Sequence, residues 1–266
     1  MASRLAAIVG ASGLLAALTG VVVARSFDPV VDGAADVIGS DPLQVYAVPD
    51  RDLGAELDAA WVSGRPLPSS ITTGGQSPER LTAVLLAAGV VRAGQATTAV
   101  TIENKRSDTA VLTAITASVH RRAVPLSDSL VVISRAGGGP GAGPVALGFD
   151  LDGPSLSAQA FGKHDVLTGP YLDTTGLTLT GGEKLRFNFV GRTKSSYVEW
   201  SIKIDYVVSG RARTLTVLPG GSPMRVTALI SRYSHSYRWN DEGVQRVPVE
   251  QVCGSDCRRE QWRKPE

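Results

Sequence analysis

The chain has 266 residues, of which 43% are hydrophobic and 20% are charged, as in a folded protein with one large core or a core and a small lobe. Its 27 basic and 25 acidic residues give a formal net charge of +2, which argues against a general binder of polyanions, and we expect no nucleic-acid partner. Two cysteines are too few for a scaffold built on disulfides or for a self-contained zinc site.

An uncharged apolar run, Leu5–Ala24, dominates the N-terminus. A helix of about 20 apolar residues crosses the hydrocarbon core of a bilayer, where the backbone must satisfy its own hydrogen bonds. We therefore predict a single-pass anchor over residues 1–25 that contacts the lipid bilayer through residues 5–24. The N-terminus is then cytoplasmic and the bulk of the chain extracytoplasmic. The alternative is a signal peptide cleaved near Ala24, which would release a secreted protein.

A tether and then a short helical region are predicted to follow. The tether, residues 26–48, has no clear hydrophobic period. The helical region, residues 49–94, holds one helix over Asp50–Val62 and a second from Ser77 to Gly89, which begins with a capping serine and a proline and ends at a glycine. The apolar residues of the first helix recur at helical spacing, at Leu53, Leu57, Ala60 and Trp61.

Residues 95–231 change to a hydrophobic period of two, which is typical of β-strands with one face in a core. The alternation is clearest in Lys184–Val190 and Tyr197–Val208. Five further alternate residues mark one face of a long strand: Val111, Thr113, Ile115, Ala117 and Val119. Shorter strands are predicted around Val100 and Ile102 and over Leu130–Ile133, Val145–Leu151, Ser155–Phe161, Thr175–Thr180, Thr214–Leu218 and Met224–Ile230.

Several short strands without helices between them indicate an antiparallel sandwich or a barrel. We predict a mainly β fold, in which an antiparallel Ig-like β-sandwich over residues 95–231 is preceded by the transmembrane helix and two short helices. The alternative is a β-barrel that encloses a ligand cavity.

Residues 232–266 are rich in arginine and aromatic residues and are predicted to form an exposed basic tail. Such a tail is either solvated or in contact with acidic surfaces, such as anionic lipid headgroups or wall polymers. Cys253 and Cys257 lie within this tail, and outside the cytoplasm we expect a disulfide that closes a small loop. A redox-active pair, an intermolecular bond and free thiols are the alternatives.

The three histidines give no catalytic assignment. His120 is predicted at a solvated strand end, and His235 lies in the tail. His164 precedes Asp165, a pair that suggests a triad, but adjacent residues rarely point at each other and no Gly-x-Ser-x-Gly elbow supplies a nucleophile. We therefore predict no catalytic residue and no cofactor.

Asp150 and Asp152 have the i, i+2 carboxylate spacing that calcium loops use. An EF-hand is excluded, because its fifth and twelfth positions would be Pro154 and Gly162. The two carboxylates remain candidates for a calcium site that ligands from elsewhere in the chain complete. The alternative is a strand end that runs into a turn.

The segments Gly148–Asp152 and Gly169–Tyr171, with the strands Lys184–Val190 and Tyr197–Val208, give the chain a resemblance to an actinobacterial family of membrane-anchored extracytoplasmic β-sandwich proteins. The resemblance covers roughly Leu43 to Ile230. It implies an N-terminal apolar segment, a short helical region and a β-rich outer domain. Members often carry a cysteine in the strand that matches Tyr197–Trp200, where this chain has none. The family has no assigned activity, so the resemblance transfers no site residue.

These observations favour a non-catalytic binding or structural module of the cell envelope, whose partner is a protein or an envelope polymer. Two alternatives from other classes remain. One is an envelope enzyme whose site is assembled from separate loops, and the other is a carrier of an apolar ligand.

Overall fold

The computed structural model describes residues 41–49, 58–72, 78–134, 145–240 and 243–258. The described chain is mainly β, as the alternating pattern predicts. The predicted anchor Leu5–Ala24 lies outside the described residues. Within them, no helix combines the length and the hydropathy that a membrane crossing requires.

Sixteen strands form the framework of the described chain. In chain order they are β1 Leu43–Pro49, β2 Asp58–Ser63, β3 Val91–Ala93, β4 Gln95–Asn104, β5 Ala110–Ala123, β6 Ser129–Ser134, β7 Val145–Asp150, β8 Gln159–Phe161, β9 Leu167–Pro170, β10 Leu177–Leu179, β11 Lys184–Arg192, β12 Tyr197–Val208, β13 Arg211–Val217, β14 Met224–Thr227, β15 His235–Asn240 and β16 Gly243–Arg246. The α-helices are α1 Ser69–Thr72, α2 Pro78–Ala87, α3 Tyr171–Thr174 and α4 Val249–Cys253, and 3₁₀ turns cover Lys163–Asp165 and Pro219–Gly221.

The strands form two sheets. The six-stranded sheet has the order β1-β4-β11-β7-β8-β9, and the ten-stranded sheet has the order β10-β5-β12-β14-β3-β2-β6-β15-β16, with β13 also paired to β12. Both are mixed, because β11–β7, β14–β3 and β15–β6 are parallel pairs. The prediction of a wholly antiparallel fold is therefore wrong. Each parallel pair joins strands far apart in the chain, and the long connections between them permit the crossover that parallel pairing needs.

The two sheets share one core. Phe149 and Phe189 from the six-stranded sheet have ring centroids 5.7 Å apart, and Phe149 meets Trp200 of β12 at 5.5 Å. At Gly191 a Cβ would lie only 2.4 Å from the Trp200 ring, so a glycine lets the sheets approach closely at this point. Packed side chains thus fill the space between the sheets. The sheets are not closed into a barrel, so the barrel alternative is wrong.

Strand β12 follows its predicted alternation. Its inward residues are all buried: Val198, Trp200, Ile202, Ile204, Tyr206 and Val208. Its neighbour β5 departs from the prediction, because Val111 and Thr113 are exposed while Leu112 is buried. The pairing register between β12 and β5 shifts by one residue at Thr113. A β-bulge of this kind moves the side chains before it to the opposite face, and the predicted face holds only from Ile115 onward.

The half of the ten-stranded sheet that runs from β3 to β16 is covered on both faces. On one face, Trp61 and Trp239 pack with Leu81 and Leu85 of α2. On the other face, strand residues pack against the C-terminal segment and its disulfide; the buried members are Ala60, Val62, Ala93, Leu130, Val132, Tyr233, Val252 and Cys257. This region is therefore a layer of strands between two helix-bearing layers.

The prediction for Asp50–Val62 is wrong where it can be compared, because Asp58–Ser63 forms the strand β2. Residues 50–57 lie outside the described chain. Ala60, Trp61 and Val62 are all buried, and a strand covered on both faces loses the alternation that distinguishes it from a helix. The second helix is confirmed over Pro78–Ala87.

The structure describes the C-terminal end of the second predicted helix and the end of the predicted tether. Gly89, with a φ of +77°, follows α2 as predicted, whereas its predicted cap Ser77 lies outside the described residues. The last part of the predicted tether, Leu43–Pro49, pairs with β4 as the strand β1.

The prediction of an exposed tail after residue 231 is wrong over the described residues. Strand β15 pairs with β6 and with β16, and Tyr233, Tyr237 and Trp239 are buried. The aromatic residues of this segment complete the two small cores instead of facing water, because β15 pairs with the edge of β6. Strand β6 lies more than 100 residues earlier in the chain, so no local pattern indicates this pairing. Residues 259–266 lie outside the described chain.

Candidate functional site

Of the two calcium candidates, Asp150 is the last residue of β7 and Asp152 lies in the turn that follows, and their carboxylates accept hydrogen bonds from different segments. An Asp150 carboxylate oxygen accepts the backbone N–H of Asp152 at 3.1 Å. The Asp152 carboxylate accepts hydrogen bonds from the Thr193 hydroxyl at 3.0 Å, the Lys194 backbone N–H at 2.5 Å and the Ser195 hydroxyl at 2.8 Å. Asp152 therefore fixes the loop that carries the chain from β11 in one sheet to β12 in the other.

The electrostatics at Asp152 follow from this loop. Burial acts to raise the pKa of the Asp152 carboxyl, but the hydrogen bonds, with that of Lys194 N–H the largest, outweigh it and lower the pKa. The Arg122 guanidinium also lies 3.9 Å away. Among the described residues, no group of three or more His, Cys, Asp or Glu side chains gathers as a metal site would require. The described groups around the Asp152 carboxylate are thus hydrogen-bond donors and not further carboxylates.

Each described histidine side chain has a nearby partner. The Nε2 atom of His120 lies 2.8 Å from the Ser201 hydroxyl, and the Nδ1 atom of His235 lies 3.2 Å from an Asp128 oxygen. A histidine next to a serine has the spacing of a base and a nucleophile, but Ser201 is fully buried in β12. The pair is therefore placed to orient His120 and not to attack a substrate.

His164 belongs to the 3₁₀ turn Lys163–Asp165, and its side chain lies outside the description. Arg192 holds this turn, because it donates to the Asp165 carbonyl at 2.5 Å and lies over the Phe161 ring at 4.6 Å. Arg192 is also the register partner of Asp150. The turn and Asp150 thus both lie next to the last residue of β11, whereas Asp152 is held by residues 193–195, which follow β11.

A second constellation lies on the outward face of the ten-stranded sheet. It comprises Arg121, Tyr197, Glu199 and Arg225, which we call the Tyr197 cluster. Glu199 of β12 lies between Arg121 on β5 and Arg225 on β14 in the strand register. The six-stranded sheet covers only the opposite face of these strands, so the cluster faces outward.

The Tyr197 cluster has a defined geometry. The Tyr197 hydroxyl donates to a Glu199 oxygen at 2.8 Å, and the Arg121 guanidinium lies 3.5 Å from the same oxygen. The Arg121 guanidinium carbon also lies 5.9 Å from the centre of the Tyr197 ring. The cluster thus holds two arginines and one carboxylate, with Arg225 at the register position opposite Glu199, so it has a net positive charge.

The chemistry of the cluster is that of a binding surface. Burial, followed by the hydrogen bond to Glu199, raises the pKa of Tyr197 to about 12, so the phenol stays protonated at neutral pH and is a donor. The Arg121 side chain is 63% exposed, and Arg225 is also exposed. Guanidinium groups on an open face can bind carboxylate or phosphate oxygens bidentately.

A cleft also opens where α2 ends, between β3, the start of β4 and the loop before β14. Its volume is about 200 Å³, and its walls are mostly apolar, with Thr98 and Met224 in hydrogen-bond contact at 3.0 Å. Arg92 lines it and lies 5.1 Å above the Trp61 ring. Ligand pockets are usually larger, about 300–1,000 Å³.

Sequence reasoning missed the Tyr197 cluster because its residues come from three strands that are distant in the chain. The local signal was limited to the i, i+2 spacing of Tyr197 and Glu199, which places both on one face of a strand. Cys253 and Cys257 form the expected disulfide, with Cα atoms 4.6 Å apart.

Comparison with known proteins adds no family. No protein-family model matches the chain. No curated protein matches it either.

Proposed function

We propose that this protein is a membrane-anchored extracytoplasmic binding module whose Tyr197 cluster binds an anionic polymer of the cell envelope. The observation that carries the proposal is an exposed arginine, Arg121, that lies beside a tyrosine ring and a partly buried carboxylate on the outward face of the sheet. In this proposal the two packed sheets are the Ig-like sandwich of a non-catalytic module, and Leu5–Ala24 is its anchor.

Two features support a location beyond the membrane. The apolar run Leu5–Ala24 has the length of a membrane-spanning helix. The bond between Cys253 and Cys257 is of the kind that persists in oxidising compartments and is rare in the cytosol.

The charge around the cluster supports an anionic ligand. Arg121 and Arg225 flank the single carboxylate of Glu199 in the strand register, so basic groups outnumber acidic groups in the cluster. A flat face with several separate cations suits a polymer with repeated charges, because each exposed ion pair contributes only about 0.2–1 kcal/mol.

The binding test uses the full chain and isolated cell walls, with inorganic polyphosphate as a polymer of defined charge. The double variant Arg121→Gln/Arg225→Gln should weaken binding about tenfold, if each arginine contributes about 0.7 kcal/mol. Lys203→Gln is the matched control, since it removes a cation from the same face of β12 and should change binding less than twofold. Equal retention of the double variant and the parent chain would refute the cluster as the binding site.

The location test is fractionation of cells that produce the full chain, followed by protease treatment of intact cells. We expect the chain in the membrane fraction, with the β-rich part accessible to protease from outside. Recovery of the whole chain from the cytosol with both thiols reduced would contradict the proposal.

A further inference from the structure

A second β-bulge interrupts strand β5 beside the Tyr197 cluster. In the pairing of β5 with β12, Arg121 lies opposite Glu199 and Val119 lies opposite Trp200, so the register passes over His120. His120 is therefore the extra residue of the bulge. Bulges re-aim side chains and are common next to functional sites, so the position of this side chain bears on what the cluster binds.

The bulge brings two consecutive residues to one face of the sheet. Glu199 and Ser201 share the outward face of β12, because alternate residues of a strand point the same way. The Arg121 guanidinium lies 3.5 Å from a Glu199 oxygen, and the Nε2 atom of His120 lies 2.8 Å from the Ser201 hydroxyl. His120 and Arg121 thus both reach the outward face, whereas a regular strand would point one of them into the core. Both residues are exposed.

Ser201 orients the imidazole of His120. Ser201 is fully buried, so its hydroxyl has a fixed position. Among the described residues, this hydroxyl is the only hydrogen-bond partner of the His120 ring. When the hydroxyl donates to Nε2, the neutral ring carries its proton on Nδ1. The Nδ1 atom then offers a donor to a ligand.

Three donor groups therefore occupy neighbouring positions on the outward face. His120 and Arg121 are consecutive, so their Cα atoms are about 3.8 Å apart. Arg225 lies across β12 from Arg121, at two strand spacings or roughly 10 Å. Both arginine side chains are exposed and long, so their guanidinium groups and the imidazole can contact one bound group.

We propose that His120 is a third ligand-binding residue of the Tyr197 cluster and that the group bound there is a phosphate. The inference rests on the proposed function, because it names the anion that the envelope polymer carries. A carboxylate is planar, and one guanidinium satisfies its two oxygens with two parallel hydrogen bonds. A phosphate is tetrahedral, so its oxygens accept from donors in different planes, such as one imidazole and two guanidinium groups.

The first experiment compares two polymers of equal charge, polyphosphate and polyglutamate, in binding to the full chain. The parent chain should bind polyphosphate at least fivefold more tightly than polyglutamate. His120→Ala should weaken polyphosphate binding about fivefold, as expected for the loss of one exposed hydrogen bond to an anion. Its binding of polyglutamate should change less than twofold.

Thr116→Ala is the matched control for His120→Ala. Thr116 lies on the same strand and the same outward face, opposite Lys203 in the register. Its substitution should leave both affinities within twofold of the parent, and both variants should keep the thermal transition of the parent chain.

The outcomes of this comparison are distinct. An equal loss of both polymers by His120→Ala, or no loss of either, would overturn the role of His120. Tighter binding of polyglutamate by the parent chain would overturn the assignment to phosphate and leave the proposed function standing. A parent chain that binds neither polymer would refute the proposed function and this inference with it.

The second experiment detects the contact at the imidazole itself. The chain has three histidines, so labelling them with ¹³C gives a simple NMR spectrum, in which the His120 ring signal is the one that His120→Ala removes. Polyphosphate should shift this signal and leave that of His235, which bonds Asp128 in β15, unchanged. An unmoved His120 signal at saturating polyphosphate would overturn the contact, even if the polymer binds elsewhere on the cluster.

Discussion

The two halves of the ten-stranded sheet differ in how many of their faces are covered. From β10 to β14 the sheet buries one face against the six-stranded sheet and leaves the other in water. From β3 to β16 it is covered on both faces, by α1 and α2 on one side and by the C-terminal segment on the other. The halves join through the parallel pair β14–β3, where only Val226 and Thr227 are in register with β3.

This difference in burial determines which positions are available for surface chemistry. In the first half, polar and apolar residues alternate, and the outward positions are free to carry the Tyr197 cluster. In the second half, every residue from Leu130 to Ile133 is buried, so hardly any position is left for surface chemistry. The half with one open face is therefore the functional half in our proposal, and the doubly covered half supports it.

The largest expected effects test whether the halves unfold together. Trp200→Ala removes a fully buried ring from the shared core, and Trp61→Ala does the same in the doubly covered half. Each should lower the free energy of unfolding by about 3–5 kcal/mol, because it deletes a large apolar side chain and leaves a cavity. Circular dichroism during heating should show one transition that both variants shift.

Two thermal transitions, each shifted by only one of the tryptophan substitutions, would contradict the expectation that the two halves unfold together. The junction at β14–β3 would then separate two units. Thr216→Ala is a control for both, because this exposed residue of β13 should change stability by less than about 0.5 kcal/mol.

The next effect concerns the close approach of the sheets. Gly191→Ala places a methyl group 2.4 Å from the Trp200 ring and 3.1 Å from Leu151. The sheets must separate or the ring must move, at a cost of about 1–3 kcal/mol, which denaturant unfolding would measure. Gly169→Ala is the matched control, since no atom lies within 4 Å of its new methyl group. Equal stability of the two variants would contradict the packing described.

The disulfide tests the outer layer of the doubly covered half. Breaking the bond with the double variant Cys253→Ser/Cys257→Ser should cost about 2 kcal/mol, the loop entropy of so short a ring. The melting temperature should fall, and a reductant should lower that of the parent chain but not that of the variant. If a reductant left the melting temperature of the parent chain unchanged, the stability of this layer would not depend on the disulfide.

The smallest effect sharpens the role of Asp152. Its pKa lies below the ordinary value of 3.8 when the chain is folded, so its stabilising contribution is present above that value and is lost as the pH falls through the folded pKa. Asp152→Asn should therefore cost about 1 kcal/mol at pH 7, and the difference from the parent chain should disappear in acid. Unfolding at a series of pH values measures this.

Asp173→Asn provides the comparison for that series, because Asp173 is an exposed carboxylate in α3. Its stability curve should follow that of the parent chain at every pH. A constant difference between Asp152→Asn and the parent down to the lowest pH would contradict the assignment to the carboxylate.

The sequence predicts what short-range patterns control. The strands β11 and β12 and the helix α2 follow from alternation, a proline at a helix start and a glycine at its end. The bulge at Thr113 cannot be predicted from the sequence, because only the pairing of β5 with β12 reveals that β5 carries an extra residue there. The sequence predicts a helix where β2 lies because Ala60, Trp61 and Val62 are all apolar and show no alternation.

The candidate site was harder to predict than the fold. Asp150 and Asp152 have a calcium-like spacing, but the donors that hold Asp152 come from residues 193–195, and no local pattern connects the two segments. The Tyr197 cluster likewise needs the register of β12 against β5 and β14. Long-range pairing is what a single sequence leaves undetermined.

The same long-range pairing governs how the chain can be made. Strand β6 ends at Ser134, but its partner strand β15 begins only at His235. The Thr98 hydroxyl likewise contacts Met224, which follows it by 126 residues in the sequence. During synthesis the first half is therefore complete while the strands that it pairs with are still missing. We expect folding to be slow and to be completed only after residues near 240 have emerged, so a truncated product ending near residue 230 would leave the β15 side of β6 unpaired and aggregate.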